Sequence, residues 1–81
     1  MIAVRLWADP DPEAVRLYPP TVIQAVTIDE AARSAVAAWA AEAPSLWRPG
    51  RHEVAAQVGE GAIVVVSVVV DLANGTQHAT A

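Results

Sequence analysis

The side chains best placed for catalysis in this 81-residue chain are Ser67 and Asp71, which lie four residues apart in a valine-rich run. On a β-strand, residues an even number of positions apart share one face, so both would point to the same side. A serine nucleophile also requires a general base, and the chain offers only His52 or His78 for that role. No phosphate-binding loop, dinucleotide fingerprint, zinc-protease motif or hydrolase motif is present. We therefore expect no catalytic site. A small acid/base enzyme with its site at a subunit interface is kept as an alternative.

The sequence offers few residues that could bind a metal ion. The chain has no cysteine, which removes thiolate sites. His52 and Glu53 are neighbours on a predicted strand, and neighbours on a strand point to opposite faces. Asp9, Asp11 and Glu13 form an acidic cluster, but the prolines between them favour a solvated turn over a cation site. We expect neither a metal nor a cofactor.

One short connection concentrates residue types that carry binding energy at protein interfaces. Trp47, Arg48, Arg51 and His52 occur together in an otherwise acidic chain, whose formal net charge is −4. Tryptophan and arginine dominate interface hot spots, and arginine also pairs well with carboxylates. These four residues are predicted to bind a protein partner. The alternative is that Trp47 packs in the core and both arginines are solvated. The net negative charge argues against nucleic acid as the partner.

Residues 62–72 carry the strongest strand signal, because six valines surround one serine. One face of this strand would carry Val64, Val66, Val68, Val70 and Leu72. The opposite face would carry Ile63, Val65, Ser67, Val69 and Asp71. A strand that is apolar on both faces is normally covered on both. The run is too short for a membrane helix, which requires about 20 apolar residues.

The second face of this strand is the predicted self-association surface. Only one long helix is expected in the chain, and it can cover only one face of a sheet. A second copy would cover the other face through Ile63, Val65, Ser67 and Val69, most simply in a symmetric dimer.

The first part of the chain is predicted to form a β-hairpin. Residues 2–8 alternate between two faces, and residues 14–18 repeat the same pattern after a proline-rich turn. The alternative for the second arm is a short helix that begins at Pro12 with Asp11 as its N-cap. Residues 21–28 are rich in β-branched side chains and predict a further strand. The inner face of that strand would carry Val22, Val26 and Ile28.

A helix follows, because Thr27 and Glu30 have the spacing of a capping box. It would run to about Ala43, before Pro44. Its apolar stripe toward the sheet would consist of Ile28, Ala32, Ala35, Val36, Trp39 and Ala43. Residues 51–58 alternate as a strand. Gly59-Glu60-Gly61 would then turn the chain into the valine-rich strand.

These elements predict one α+β domain: a small, mainly antiparallel sheet of four to five strands with one helix packed on one face. The order β-β-(β)-α-β-β resembles that of ubiquitin-like β-grasp domains. Residues 1–73 would form the domain, and residues 74–81 would be a polar tail or a short edge strand after an Asn-Gly turn. The first residues meet acid and proline too early for a signal peptide, so a cytoplasmic location away from membranes is expected.

The composition favours an associating surface. Hydrophobic residues make up 54% of the chain and charged residues only 17%. The sequence therefore predicts a non-enzymatic interaction or assembly module that self-associates. Besides the enzyme above, the alternative is a homo-oligomer that binds a small ligand through Trp7, Trp39 or Trp47 as stacking surfaces.

Overall fold

The computed structural model describes residues 1–73 and 76–80, with the side chains of residues 72, 73 and 76–80 left out of the description. In chain order the elements are β1 (Ile2–Trp7), α1 (Pro12–Leu17), β2 (Thr21–Ala25), α2 (Ile28–Glu42), β3 (Gly50–Val58), β4 (Val64–Ala73) and β5 (Thr76–Thr80). The described strands form a five-stranded sheet in the order β2-β1-β3-β4-β5, and every neighbouring pair is antiparallel. The predicted α+β class is confirmed, with α2 packed on one face.

The hairpin of β3 and β4 forms the centre of the sheet. The valines of β4 lie opposite a mixed set of β3 residues, as in the pairs Val54–Val66, Ala55–Val65 and His52–Val68. The turn between them contains Gly59 in the left-handed region, at a φ of 56°, and the Gly61 amide donates to the Val58 carbonyl. Because this connection extends to residue 63, β4 begins at Val64, two residues later than the sequence predicts.

The core lies between α2 and the adjacent sheet face. Helix α2 contributes mostly alanines, and the strands contribute valines and Leu6. The fully or almost fully buried side chains of the core cluster are Val4, Leu6, Ala25, Ala31, Ala32, Ala35, Val36, Ala40, Val54, Ala56, Val68 and Val70. Each valine or leucine taken out of water contributes about 1.5–3 kcal/mol to the free energy of folding. Small residues on α2 let the helix lie close to these larger strand side chains.

Helix α2 begins as the sequence predicts. The Thr27 hydroxyl oxygen accepts a hydrogen bond from the Glu30 amide at 3.1 Å. The Glu30 carboxylate reaches back and accepts from the Val26 amide at 3.3 Å, one residue earlier than in the standard capping box. The helix ends at Glu42, next to the predicted Ala43, whose amide donates to the Trp39 carbonyl.

The predicted second arm of the N-terminal hairpin is wrong, and the helical alternative is correct. Residues 12–17 form α1, with Pro12 in its first turn. The Asp11 carboxylate accepts from the Glu13 amide at 2.9 Å and caps the helix. A proline has no amide hydrogen and holds φ near −65°, which suits a first helical turn and not a sheet ladder. The strand that pairs with β1 is therefore β2.

The predicted facing of β2 is also wrong. Val22 is 57% exposed, whereas Ala25 is buried and Ile23 packs against the core. The register decides this, because Ile23 lies opposite Val4 and Ala25 opposite Ile2, and paired residues share one face. The strand ends at Ala25, so Val26 lies beyond it.

Removal of the N-cap should weaken α2. Thr27→Ala leaves the Glu30 amide without its side-chain acceptor and should lower the free energy of unfolding by about 0.5–2 kcal/mol. Thr27→Ser keeps the hydroxyl and should retain most of that stability. Urea denaturation followed by circular dichroism measures the difference, and equal midpoints for the alanine variant and the wild type would contradict this cap.

Candidate functional site

The sheet has a second face, opposite α2, which we call the outer face. Strand alternation and register place on it Ala3, Arg5, Trp7, Val22, Gln24, Arg51, Glu53, Ala55, Gln57, Val65, Ser67, Val69 and Asp71. Apart from the buried Trp7 and Ala55, these side chains are exposed or partly exposed. The outer face is therefore largely accessible within the described residues.

Helix α1 covers one corner of the outer face. Trp7 and Ala55 are register partners on β1 and β3, they are 7% and 0% exposed, and neither belongs to the main core cluster. The indole nitrogen of Trp7 donates to the Tyr18 carbonyl at 2.9 Å, which ties the end of α1 to β1. Part of the apolar outer face is therefore shielded from water within the single chain, at Trp7 and Ala55.

Helix α1 does not extend across the outer face as far as β4. A groove of about 320 Å³ lies between the α1 segment and the start of β4, lined by Pro10, Pro12, Val15, Arg16, Ile63 and Val65. On its far side Ile63 is 46% exposed and Val65 is 53% exposed. An accessible groove with apolar walls is thus a direct consequence of a helix only six residues long.

All four residues of the predicted self-association surface belong to this region. Val65, Ser67 and Val69 are outer-face residues of β4, and Ile63 directly precedes the strand. Ser67 lies opposite Glu53, and Val69 lies opposite Arg51. Ser67 and Val69 are partly buried, whereas Ile63 and Val65 are exposed.

The residues of the predicted partner-binding surface are separated by the fold. Trp47 is 8% exposed and belongs to the core cluster. Its ring stacks on Trp39 with a centroid distance of 5.5 Å and contacts the His52 ring at 5.1 Å. Arg48 and Arg51 are exposed. Arg51 extends from the outer face, while His52 lies on the α2 side of the sheet, so the four side chains do not form one continuous surface.

His52 forms a hydrogen bond to the backbone of the loop between α2 and β3. Its Nε2 atom lies 2.6 Å from the carbonyl oxygen of Arg48. Because a carbonyl oxygen only accepts, Nε2 carries the proton and donates. The imidazole therefore serves to hold the loop against Trp47.

The sheet also separates the residues considered for catalysis. Ser67 and Asp71 are on the outer face, and His52 is on the opposite face, so this histidine cannot act as a base for the serine. The backbone of His78 lies opposite Asp71, but its side chain lies outside the described residues. Within residues 1–71, no three histidine, aspartate or glutamate side chains converge as a metal site would require.

The acidic cluster near α1 forms local hydrogen bonds. Asp9 accepts from the Asp11 amide at 2.9 Å, and Asp11 caps the helix. Glu13 lies 3.7 Å from Arg16, and this exposed contact is the one ion pair among the side chains that the structure describes. These carboxylates thus serve the turn that the sequence predicted for them.

Three charged side chains of the outer face, Arg5 on β1 and Arg51 and Glu53 on β3, differ in whether they have a partner within the described chain. Arg5 donates to the Gly59 carbonyl at 2.9 Å and so is fixed at the turn between β3 and β4. Arg51 and Glu53 follow each other on the outer face of β3, and both are exposed. Neither has an ion-pair partner within the described side chains. They are free to pair with groups outside the described chain.

Sequence reasoning missed the groove because it assigned the α1 segment to a strand. The signal was present, since Asp11 before Pro12 is a helix start. The path of that helix across the outer face is a tertiary feature, and no local pattern encodes it.

The fold and its surfaces define a small α+β domain with a partly covered sheet. No protein-family model matches the chain, and no curated protein or solved structure matches it either. Neither helix within the described residues has the length and apolar character needed to cross a bilayer. Any functional conclusion therefore depends on the chemistry of the surfaces.

Substitution of the buried Trp47 should destabilise the fold much more than substitution of the exposed Arg48 and Arg51. Trp47→Ala removes a buried indole from a stack and should lower the free energy of unfolding by about 3–5 kcal/mol. The double variant Arg48→Ala/Arg51→Ala removes exposed side chains and should change it by about 0.5 kcal/mol or less per site. Urea denaturation compares them directly. A Trp47→Ala variant as stable as the wild type would contradict the core role of that ring.

Proposed function

We propose that the protein is a non-enzymatic assembly module of the cytoplasm that forms a symmetric dimer through its outer face. The observation that supports this proposal is the half-exposed pair Ile63 and Val65 beside the groove at α1. Their apolar surface stays in contact with water in the single chain. A second copy that covered both side chains would recover part of the 1.5–3 kcal/mol that full burial of each contributes, by about the usual transfer scale.

The size of the outer face suits a small interface. Five strands about 4.8 Å apart, of 5 to 10 residues each and about 3.3 Å per residue, give a face of about 24 by 23 Å, or about 550 Å². Helix α1, about 9 Å long and 10 Å wide, takes up about 100 Å² of it. The remaining area of about 450 Å² is close to the roughly 500 Å² per partner at the lower end of specific interfaces, which favours a weak dimer.

The charge pattern fits a second copy better than an unrelated partner. In a two-fold symmetric dimer, each surface meets an identical surface in the opposite direction. Arg51 and Glu53 occupy consecutive outward positions on β3. If two β3 strands cross antiparallel, Arg51 of each copy meets Glu53 of the other. Arg51 and Glu53 are thus self-complementary across a two-fold axis that passes between them.

The dimer is expected to be weak. Ile63 and Val65 are already half covered, and Gln24, Ser67 and Gln57 make the interface partly polar. We therefore expect a Kd in the micromolar range or weaker, which corresponds to a binding free energy of about 8 kcal/mol or less. Dimerisation should therefore depend on protein concentration.

A charged residue in the apolar area should prevent dimerisation without unfolding the chain. Val65→Asp places a carboxylate where the copies meet, and Val65 is exposed enough in the single chain to tolerate it. Sedimentation equilibrium from micromolar to millimolar protein should show a dimer for the wild type and a monomer for Val65→Asp.

Val26→Asp is the matched control, because Val26 is 67% exposed and lies beyond the end of β2. It makes the same chemical change past the end of β2, three strands away from β4 and Val65, and should leave the dimer intact. A wild type that is monomeric throughout this range, or a Val65→Asp variant that still dimerises, would contradict the proposal.

The charge pairing predicts a specific rescue. Arg51→Glu should weaken the dimer, because two glutamates of one copy would face two of the other. Glu53→Arg alone should weaken it as well. The double variant Arg51→Glu/Glu53→Arg restores opposite charges and should recover most of the wild-type Kd. Additive losses in the double variant would show that these side chains do not meet across a two-fold axis.

A further inference from the structure

A second cavity lies at the end of β1 and is separate from the groove beside Ile63 and Val65. Its volume is about 320 Å³, and its lining includes Trp7, Asp9, Tyr18, Pro19 and Trp39. Three of the four aromatic residues of the chain therefore line one opening, together with one carboxylate. Small-molecule sites begin at about 300 Å³, so the cavity has room for a small ligand.

The fold holds these aromatic residues in place through independent contacts. The indole nitrogen of Trp7 donates to the Tyr18 carbonyl at 2.9 Å, which joins the end of β1 to the end of α1. Trp39 comes from the last part of α2 and stacks on Trp47 at 5.5 Å. Trp7 and Trp39 are thus fixed before any ligand binds, which lowers the entropy cost of binding.

The charge at the cavity is negative. Asp9 uses one carboxylate oxygen to accept from the Asp11 amide at 2.9 Å. It forms no ion pair with any described side chain, and none of the five arginines lines the cavity. An uncompensated carboxylate beside aromatic rings favours a cation and disfavours an anion.

We propose that this cavity binds the alkylammonium group of a small organic cation. The negative faces of indole and phenol rings attract a cation, and quaternary ammonium groups are the usual ligands of sites built from several aromatic residues. The carboxylate of Asp9 adds charge complementarity, and the apolar lining suits the methyl groups of such a cation. This binding does not require the outer-face dimer, because Trp7 is the one residue named here that lies on the outer face, and it is buried in the single chain.

A pair of isosteric probes tests the proposal. Choline carries a trimethylammonium group, and 3,3-dimethylbutan-1-ol has the same shape with a neutral carbon in place of the nitrogen. Titration followed by ¹H–¹⁵N NMR should shift the indole resonances of Trp7 and Trp39, with choline at least about tenfold tighter than the neutral alcohol. Equal binding of the two compounds, or no binding of choline at millimolar concentration, would overturn the proposal.

Variants identify the residues responsible. Tyr18→Leu removes a ring that is 66% exposed and so not needed for folding, and it should weaken choline binding about five- to tenfold, whereas Tyr18→Phe keeps the ring and the affinity. Asp9→Asn removes the charge and keeps a carbonyl oxygen for the Asp11 amide, and it should also weaken binding. Asp11→Asn removes the same charge outside the cavity, and asparagine still caps a helix. Equal losses in Asp9→Asn and Asp11→Asn would overturn the role of Asp9.

The source of the cation can be distinguished with the same protein. The trimethylammonium group also occurs on the side chain of trimethyllysine. A free metabolite predicts that choline binds at least as tightly as a short peptide with trimethyllysine, whereas a methylated protein ligand predicts the reverse order. A peptide with unmodified lysine is the control, and it should bind more weakly than its trimethylated form.

Discussion

A single antiparallel sheet with apolar side chains on both faces must be covered twice, and the part of the chain that the structure describes has one long helix to do so. The core therefore forms on one side, where the alanines of α2 approach the valines of β3 and β4 closely. Alanine makes that approach possible, because a larger side chain at Ala32 or Ala35 would hold the helix away from the sheet. The other face depends on what the connection between β1 and β2 can supply.

That connection supplies α1, which is six residues long. On the outer face Trp7 and Ala55 are buried, and Trp7 is joined to the end of this segment at Tyr18, whereas Ile63 and Val65 stay exposed beyond the groove. The extent of the cover follows from helix geometry, because six residues rise only about 9 Å while the sheet is about 24 Å wide. The groove at β4 and the cavity at the end of β1 are thus two sides of the same short element. The proposed dimer surface and the proposed cation site both owe their shape to it.

Aromatic residues link the core to these surfaces. Trp47 is buried and packs between Trp39 and the ring of His52. Trp39 is partly buried, and it also lines the cavity at the end of β1. The chain has no phenylalanine, so these indoles supply large apolar volume to a core whose other buried residues are valines, alanines and Leu6. Because Trp39 packs against the core and also lines the cavity, its side of the cavity has a fixed position.

The sequence by itself determined the features that depend on neighbouring residues. Thr27 and Glu30 mark the start of α2 because a cap involves groups within four positions, and the valines of β4 favour a strand through their own side-chain stiffness. The α+β class and the presence of apolar side chains on both faces of β4 followed from such signals. The residues that line the outer face of β4 could be named from alternation alone.

Tertiary structure decided the features that depend on distant partners. The inward face of β2 is set by its register with β1, and a shift of one residue would exchange its two faces. Residues 12–17 could satisfy a strand pattern or a helix cap; they form the helix, and Tyr18 directly after it accepts a hydrogen bond from the Trp7 indole. Trp47 could have been a contact residue or a core residue, and it is buried because Trp39 and His52 come from other elements to meet it. In each case the free energy that decides between the alternatives comes from contacts between residues far apart in the chain, and those contacts exist only after the chain has folded.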